Sequence, residues 1–163
     1  MTIGTLRTQG TELWFINPLT SAADFVKLSC PTGISGLGGP ADQLDDTCLD
    51  STTRTFKQGL KNPGTLTVPF NFIPTNTSHQ ILFQLYDGGQ VVQWIAGLSD
   101  GTSPPTNSSA GGFNPPPNRS SIRFNGYVSD INIDIATNSI VTGTLTIQRS
   151  GAILVTPGPA PTT

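Results

Sequence analysis

The sequence predicts a mainly β domain with long polar loops, and three features of its composition indicate this class. Charged residues make up 11% of the 163-residue chain, against about 25% in typical soluble domains. Gly and Pro together number 32, from 18 Gly and 14 Pro, which favours turns and long connections. Nine of the ten acids are Asp, and only three residues are Lys. Because Glu and Lys are good helix formers, little helix is expected.

The chain length predicts one domain, because 163 residues suffice for one packed core and are too few for two ordinary domains. We expect the domain to cover residues 1–151 and a Pro-rich C-terminal tail to cover residues 152–163. No signal peptide and no apolar run of about 18 residues are present, which predicts a protein kept in a cytoplasm or in a particle assembled there. The two cysteines, Cys30 and Cys48, are then expected to be reduced.

Three strands are predicted before the first helix. Residues 11–16 form a short aromatic and β-branched run that Asn17-Pro18 ends, and residues 22–28 form a weaker candidate. Residues 65–73 alternate strictly, with apolar side chains on one face at Leu66, Val68, Phe70 and Phe72. Pro69 cannot donate a ladder hydrogen bond, so it predicts a sheet edge or a bulge in this strand.

Residues 31–59 show no clear periodicity and are predicted to form a long loop. Loops of this length inside a compact domain are usually functional or disordered. Two interpretations stay open: a solvated flexible loop, or a loop that orders only against a partner chain. The residues that bear on the choice are apolar side chains with little to bury against and the acids between them: Leu37, Asp42, Leu44, Asp45, Asp46, Leu49, Asp50 and Phe56.

One α-helix is predicted over residues 79–86. Its apolar stripe is formed by Ile81, Leu82, Leu85 and Tyr86. Asn76, Thr77 or Ser78 can cap its N-terminus. Gly88-Gly89 is expected to end it.

The C-terminal half predicts three strands and a second long loop. Residues 90–98 form a strand with Val92, Trp94 and Ala96 on one face, and residues 99–121 form a loop rich in Pro, Gly, Ser and Asn. Residues 122–135 form a long strand whose alternation changes phase after Val128, which predicts a bulge near residues 126–130. A turn at Thr137-Asn138 leads into the last strand, so residues 122–148 form a hairpin.

Catalytic chemistry has little support in the sequence. The only histidine, His79, lies in the first turn of the predicted helix, where an exposed or capping role is favoured, and no nucleophile elbow is present. One His and two Cys do not make a zinc site, and the acids of residues 42–50 lack the spacing of a calcium loop. The Gly-rich stretch 33–38 lacks the spacing of a phosphate-binding motif. We therefore expect no enzyme, no cofactor and no metal.

The charge distribution excludes an electrostatic nucleic-acid binding site. Eight basic and ten acidic residues give a net charge of −2, and no cluster of Lys or Arg exists. Proteins that grip DNA neutralise its phosphates with such clusters.

Several stretches resemble the major tail tube proteins of long-tailed, non-contractile bacteriophages. They are LKNPGTLTVPFNF at residues 60–72, the helix that follows, VVQWIAGL at 91–98, IRFNGYVSDINIDIA at 122–136 and VTGTLTIQRSG at 141–151. The early loop that contains DDTCLD at residues 45–50 is also similar to that family. The resemblance spans most of residues 11–151.

The resemblance implies a β-sandwich or barrel-like tail tube fold with one flanking helix. It also implies hexameric rings whose hairpins join into an inner β-barrel, and stacking of these rings into a tube that conducts DNA into the host. The expected partners are further copies of the chain, the tape measure protein, the tail terminator and the distal tail protein. DNA would pass without specific binding. The expected location is the virion tail, assembled in the host bacterial cytoplasm.

The resemblance also suggests roles for particular residues. The polar face of the long hairpin becomes a candidate lumen lining, with an ordinary solvent-exposed face as the alternative; its members are Asp130, Asn132, Asp134, Thr142, Thr144 and Thr146. Residues 31–59 would contact the neighbouring ring. Arg123 and Arg149 would pair with acids of neighbouring subunits.

Three alternatives belong to other classes of protein or component. The same scaffold serves other tail components, such as a distal tail or head–tail joining protein. A carbohydrate-binding β-sandwich would use Trp14, Trp94 and Tyr127 as a stacking platform. A hydrolase would use Asp130 and Asp134, although a regular hairpin without surrounding aromatic side chains argues against it.

Overall fold

A computed structural model describes residues 5–20, 24–108 and 112–158. Its main element is a curled six-stranded antiparallel sheet with the strand order β2-β1-β6-β9-β10-β5. Two small hairpins, β3-β4 and β7-β8, lie outside it. The elements in chain order are β1 (Glu12–Asn17), β2 (Asp24–Lys27), β3 (Ala41–Asp45), β4 (Phe56–Lys61), β5 (Thr65–Asn71), α1 (Thr77–Gly88), β6 (Val92–Gly97), β7 (Thr106–Asn107), β8 (Phe113–Asn114), β9 (Ser121–Asp134) and β10 (Thr142–Thr156).

The helix α1 covers one face of the sheet and forms the main core with it. Leu82 and Leu85 of α1 are almost fully buried with Leu66, Val68 and Leu145 of the sheet. The predicted ends of the helix are confirmed by its capping hydrogen bonds. The side chain of Asn76 accepts from the Ser78 amide at 2.9 Å, and Gly89 takes the left-handed conformation at φ 61°. The mainly β class with one flanking helix is confirmed.

The long hairpin of β9 and β10 contains the bulge that the change of phase predicts. Thr146 lies opposite Asp130 while Ile147 lies opposite Val128, so Ser129 is the extra residue. A second irregularity lies between Ser150 and Leu154. After it, β10 continues to Thr156 and pairs with the start of β9. The predicted tail boundary at residue 152 is therefore wrong for residues 152–156, whereas residues 159–163 lie outside the described part of the chain.

His79 is buried, which corrects the expectation of an exposed or capping side chain. It is fully inaccessible. The Ile73 amide donates to its Nδ1 at 3.0 Å, and its Nε2 lies at hydrogen-bonding distance, 2.9 Å, from the Ser29 carbonyl oxygen. The ring also lies against Phe70 and Phe72. His79 therefore joins the start of the helix to the segments that follow β2 and β5.

The described part of the second predicted loop, residues 99–108 and 112–120, packs on the sheet face opposite the helix, and Ser121 already belongs to β9. Phe113 of this loop is buried with Trp14, Ile16 and Ile95 in a separate small core. The Phe113 amide donates to the Gln93 side chain at 2.6 Å. Phe113 and its neighbours in the loop thus cover one end of this face. The described residues contain no helix that is both long and apolar enough to span a membrane.

Arg119 anchors the end of that loop through a partly buried ion pair. Its guanidinium lies 5.1 Å from the centre of the Trp14 ring and donates to the Glu12 carboxylate at 2.7 Å. Glu12 also pairs with Lys27. Burial raises the pKa of Glu12, but the hydrogen bonds from Lys27 and Arg119 outweigh it, so its pKa lies below the ordinary value.

The Glu12 pair is expected to make the monomer less stable in acid. Because the pKa is lower in the folded chain, the stabilisation is complete above the ordinary Glu value of about 4.3. It is lost as the pH falls through the folded pKa. Urea unfolding between pH 3 and 7 measures this, and Glu12→Gln should lower stability by about 1 kcal/mol at pH 7 and flatten the profile. An unchanged profile in Glu12→Gln would show that other carboxylates dominate.

Candidate assembly site

The six predicted lining residues lie together on the sheet face opposite the helix. They form three consecutive cross-strand pairs in the hairpin of β9 and β10: Asp134 with Thr142, Asn132 with Thr144, and Asp130 with Thr146. The three β9 members are exposed and the three threonines are half-buried. Alternate residues such as Leu145 turn to the core on the helix side. The strict alternation in the sequence therefore places all six on one surface.

This polar face continues onto β5 and carries no basic side chain. Asn71, Pro69 and Thr67 lie opposite Thr142, Thr144 and Thr146, so the face is three strands wide. We call these nine residues of β5, β9 and β10 the polar face. Its charged members are Asp130 and Asp134. The side-chain amide of Asn132 donates to the Asp134 carboxylate at 3.1 Å. The face is therefore weakly acidic.

One border of the polar face is an open strand edge. On the side away from β10, β9 pairs with β6 as far as the contact between Val92 and Gly126. No described strand pairs with that side of β9 from there to Asp134. An unpaired edge of this length presents free backbone donors and acceptors to another chain.

The other border is closed by the chain itself. The segment before β3 runs along β5, where the amides of Thr32 and Ser35 donate to the carbonyls of Pro69 and Thr67 at 2.8 and 3.0 Å. The Asn71 amide donates to the Cys30 carbonyl at 3.0 Å. The prediction that Pro69 marks a sheet edge is confirmed, since β5 is the last strand of the sheet. The two borders of the polar face are therefore different surfaces.

A projecting two-stranded hairpin replaces most of the first predicted loop. Strands β3 and β4 pair through Leu44 with Lys57 and Asp45 with Phe56; we call residues 41–61 the arm. The loop prediction for residues 31–59 is wrong in this part. Both faces of the arm are exposed, so its apolar residues follow no alternation that the sequence could reveal.

The arm carries seven of the eight residues predicted for contacts between rings. They are Asp42, Leu44, Asp45, Asp46, Leu49, Asp50 and Phe56. Leu49 at the tip is fully exposed, and Leu60 is 84% exposed. Leu37 differs, because it precedes the arm and packs against the main core. Apolar side chains exposed in this number are typical of a surface that another protein covers.

Local polar contacts order the tip of the arm. The Thr47 amide donates to the Asp45 carboxylate at 3.0 Å, and the Thr47 hydroxyl donates to it as well. The hydrogen bonds from the Thr47 hydroxyl and amide lower the pKa of Asp45. Lys57 and Asp46 form an exposed ion pair at 2.6 Å. These acids therefore have partners inside the arm itself.

The aromatic residues of the carbohydrate-binding hypothesis are dispersed. Trp14 is 4% exposed and Trp94 is fully buried, with the Trp94 indole donating to the Gly126 carbonyl at 3.1 Å. They cannot form a stacking platform with Tyr127, so that hypothesis is wrong. No group of three or more metal-ligating side chains occurs among the residues that the structure describes.

The two arginines predicted to meet neighbouring acids are engaged within the chain. Arg123 donates to the Phe113 carbonyl at 2.8 Å. Arg149 is buried against backbone carbonyls of its own chain, so the predicted pairing of Arg149 with a neighbour's acid is wrong. The sequence carries no signal for these contacts, because their partners are backbone groups distant along the chain.

The sheet has an open edge, a weakly acidic face and an arm whose apolar side chains are uncovered. These features are typical of a structural protein that assembles with other chains. Residues 4–158 match the family described as phage tail tube, TTP, lambda-like. The chain belongs to this family, and the resemblance predicted from the sequence is confirmed. It is therefore a structural component of a phage tail.

Known proteins agree with this assignment. Structural protein 3 of Pseudomonas phage PAJU2 is 36% identical over 156 residues, which cover 93% of this chain and 94% of that protein. The SPP1 tail tube has a similar fold, with a TM-score of 0.67 at 9% identity over 95% of this chain and 80% of that one. The tail of an empty gene transfer agent particle with C6 symmetry gives 0.64 at 14% identity, over 93% and 99% of the two chains.

Proposed function

We propose that the chain assembles into hexameric rings that stack into the tail tube and conduct DNA during ejection into the host. The observation that carries the proposal is the open edge of β9 beside the polar face, in a chain of the tail tube family. The C6 symmetry of the gene transfer agent tail supports six copies in a ring. In such a ring the open edge pairs with the next copy, and the sheets join into one inner barrel.

The polar face lines the lumen of this tube. The helix covers the opposite face of the sheet, so closing the sheets into a barrel with the helices outside turns the polar face inward. Asp130 and Asp134 then repel the DNA phosphates, and the polar face has no lysine or arginine that could bind these phosphates. A conduit that lacks cationic contacts lets the DNA slide, because each phosphate contact adds affinity.

The arm reaches a neighbouring ring. Its exposed leucines and Phe56 have no cover in the monomer, and burying them between rings stabilises the stack. The arm is then a joint between successive rings of the tube.

A tube has two ends and a lumen, and each of these three places is assigned to one further tail protein. The tape measure protein occupies the lumen during assembly, the tail terminator ends the stack, and the distal tail protein begins it. Assembly takes place in the host bacterial cytoplasm, without a membrane, a cofactor or an enzymatic step. Copy number per virion separates this function from that of another tail component on the same scaffold, because a tube protein is present in many rings.

Electron microscopy of the purified protein tests the proposal. At high protein concentration, negative staining is expected to show rings or tubes of uniform diameter. Sedimentation velocity on the same samples is expected to show growth with concentration. Monomers that persist at all concentrations would contradict self-assembly.

Hydrogen exchange is expected to locate the arm in the stack. Amides of residues 41–61 should exchange at least about tenfold more slowly in tubes than in monomers, because a second copy covers them. The amides of β1 (Glu12–Asn17), which are already buried in the monomer, provide the internal control. Equal exchange of the arm in both states would contradict its role between rings.

A further inference from the structure

Arg149 is a buried cation held by backbone carbonyls. It lies on β10 and is 4% exposed. Its Nη1 donates to the Leu37 carbonyl at 3.1 Å. Its Nη2 donates to the carbonyls of Gly38 and Pro63 at close range. One guanidinium thus accounts for three carbonyl groups from two segments of the chain.

These two segments are the two stems of the arm. Leu37 and Gly38 lead into β3, and Pro63 follows β4. Arg149 also fixes the second stem through its own amide, which donates to the Gly64 carbonyl at 3.2 Å. The stems bond each other directly, since the Asn62 amide donates to the Pro40 carbonyl at 2.8 Å. The arm is therefore joined to the main sheet at the guanidinium.

The charge of Arg149 has no acid to pair with in the described part of the chain. Its Nε has no hydrogen-bond partner there, and burial lowers the pKa of the Arg149 guanidinium. Burying an unpaired cation is unfavourable, so a position that only needs packing would be filled better by an apolar side chain. The property that distinguishes Arg is a rigid planar fork whose donors reach several acceptors at once.

We propose that Arg149 is the positioning residue that sets the direction of the arm relative to the main sheet. By holding both stems, it directs the exposed side chains of Leu44, Leu49 and Leu60 as one rigid unit. The consequence for assembly, that a misdirected arm misses the neighbouring ring, rests on the proposed function above. The effect on the direction of the arm does not.

Two adjacent glycines provide a test that leaves the charge of Arg149 in place. A Cβ atom at Gly39 would lie 2.6 Å from the Asn62 carbonyl oxygen and 3.1 Å from Nη2 of Arg149. A Cβ atom at Gly38 would meet nothing within 4 Å. Gly39→Ala should therefore separate the stems, and Gly38→Ala is its matched control.

The two natural cysteines allow the direction of the arm to be measured. Cys30 lies beside β5 and Cys48 at the tip of the arm, and both are exposed and unbonded. Spin labels on these thiols report the distance between body and arm by double electron–electron resonance. We expect one narrow distribution in the wild type and in Gly38→Ala. The distribution should be shifted or at least twofold broader in Arg149→Met, Arg149→Lys and Gly39→Ala.

Circular dichroism first confirms that each variant keeps the main sheet. If Arg149→Met does not fold, Gly39→Ala and Arg149→Lys decide the question. Wild-type distributions in the folded Arg149 and Gly39 variants would overturn the proposal. At a concentration where the wild type forms tubes, these variants should polymerise at least tenfold less. If the wild type forms no tubes, the proposed function fails, while the spin-label comparison still decides the role of Arg149.

Discussion

Ile133→Pro is expected to abolish tube formation while the monomer stays folded. The substitution removes one backbone donor from the open edge of β9 and places a proline ring where the next copy would pair. An unpaired buried acceptor costs about 1–3 kcal/mol. The same loss recurs at every interface around a ring, and about 2 kcal/mol lowers each association constant roughly 30-fold. Rings therefore should not close at concentrations where the wild type polymerises.

The hydrogen-bond pattern of the sheet identifies which residues of β9 face the open edge. The backbone of β5 bonds outward at Thr67 and Asn71, because these residues bond the segment before β3. In an antiparallel pair, a residue whose backbone groups point away from the neighbouring strand lies opposite a residue whose groups also point away. The threonines of β10 opposite Thr67 and Asn71 therefore bond toward β9. Their partners on β9 are Asp130, Asn132 and Asp134, which leaves the backbone of Ile131 and Ile133 directed outward.

The matched control for this substitution is Ile133→Val. It keeps the backbone donor and shortens a half-buried side chain by one methylene, so it should assemble nearly as the wild type does. Sedimentation velocity and negative-stain microscopy measure assembly, and circular dichroism measures the monomer fold. Tubes formed by Ile133→Pro as readily as by the wild type would show that the open edge does not join subunits.

The double substitution Asp130→Lys/Asp134→Lys is expected to give a tube that binds DNA, whereas the wild-type tube does not. Each subunit then places two cations on the polar face, and a stack of rings repeats them along the lumen. Affinity for DNA should fall steeply with salt, because binding releases counterions from the phosphates. Co-sedimentation of tubes with linear DNA at several salt concentrations measures this. Phage that carry the substitutions should eject their DNA more slowly.

The control for the lumen substitutions is Asp24→Lys/Asp87→Lys. It changes the net charge by the same amount at two exposed residues, one on the edge strand β2 and one at the end of α1. DNA binding of equal strength in both double variants would indicate a general charge effect. Absence of binding by both at low salt would contradict the assignment of the polar face to the lumen.

Local sequence patterns were sufficient for most regular elements. The alternation around Val68, the stripe of α1 with its Asn76 cap, and the change of phase after Val128 each have their cause within a few residues. A half-buried strand or helix repeats its contact with the core at a fixed period, so its pattern is visible without knowledge of the partner element. The common face of the six polar residues of the hairpin followed from the same alternation, whereas their cross-strand pairing came from the structure.

Contacts between distant segments could not be predicted. The arm has no buried face, so β3 and β4 produce no periodic signal, and residues 152–156 join the sheet only because the start of β9 lies beside them. His79 and Arg149 are polar residues that the sequence places on a surface, yet both are buried because backbone groups far along the chain satisfy them. Such partners leave no pattern near the residue.

By itself, the sequence determined the mainly β class, the single helix, the hairpin with its polar side and the family of the chain. These properties depend on short-range periodicity and on residues that are close in the chain. Only the tertiary structure decided that one border of the polar face is open while the other is closed by residues 30–35. The physical reason is that a backbone donor is satisfied or free according to which distant segment lies beside it, and this depends on the packing of the whole sheet.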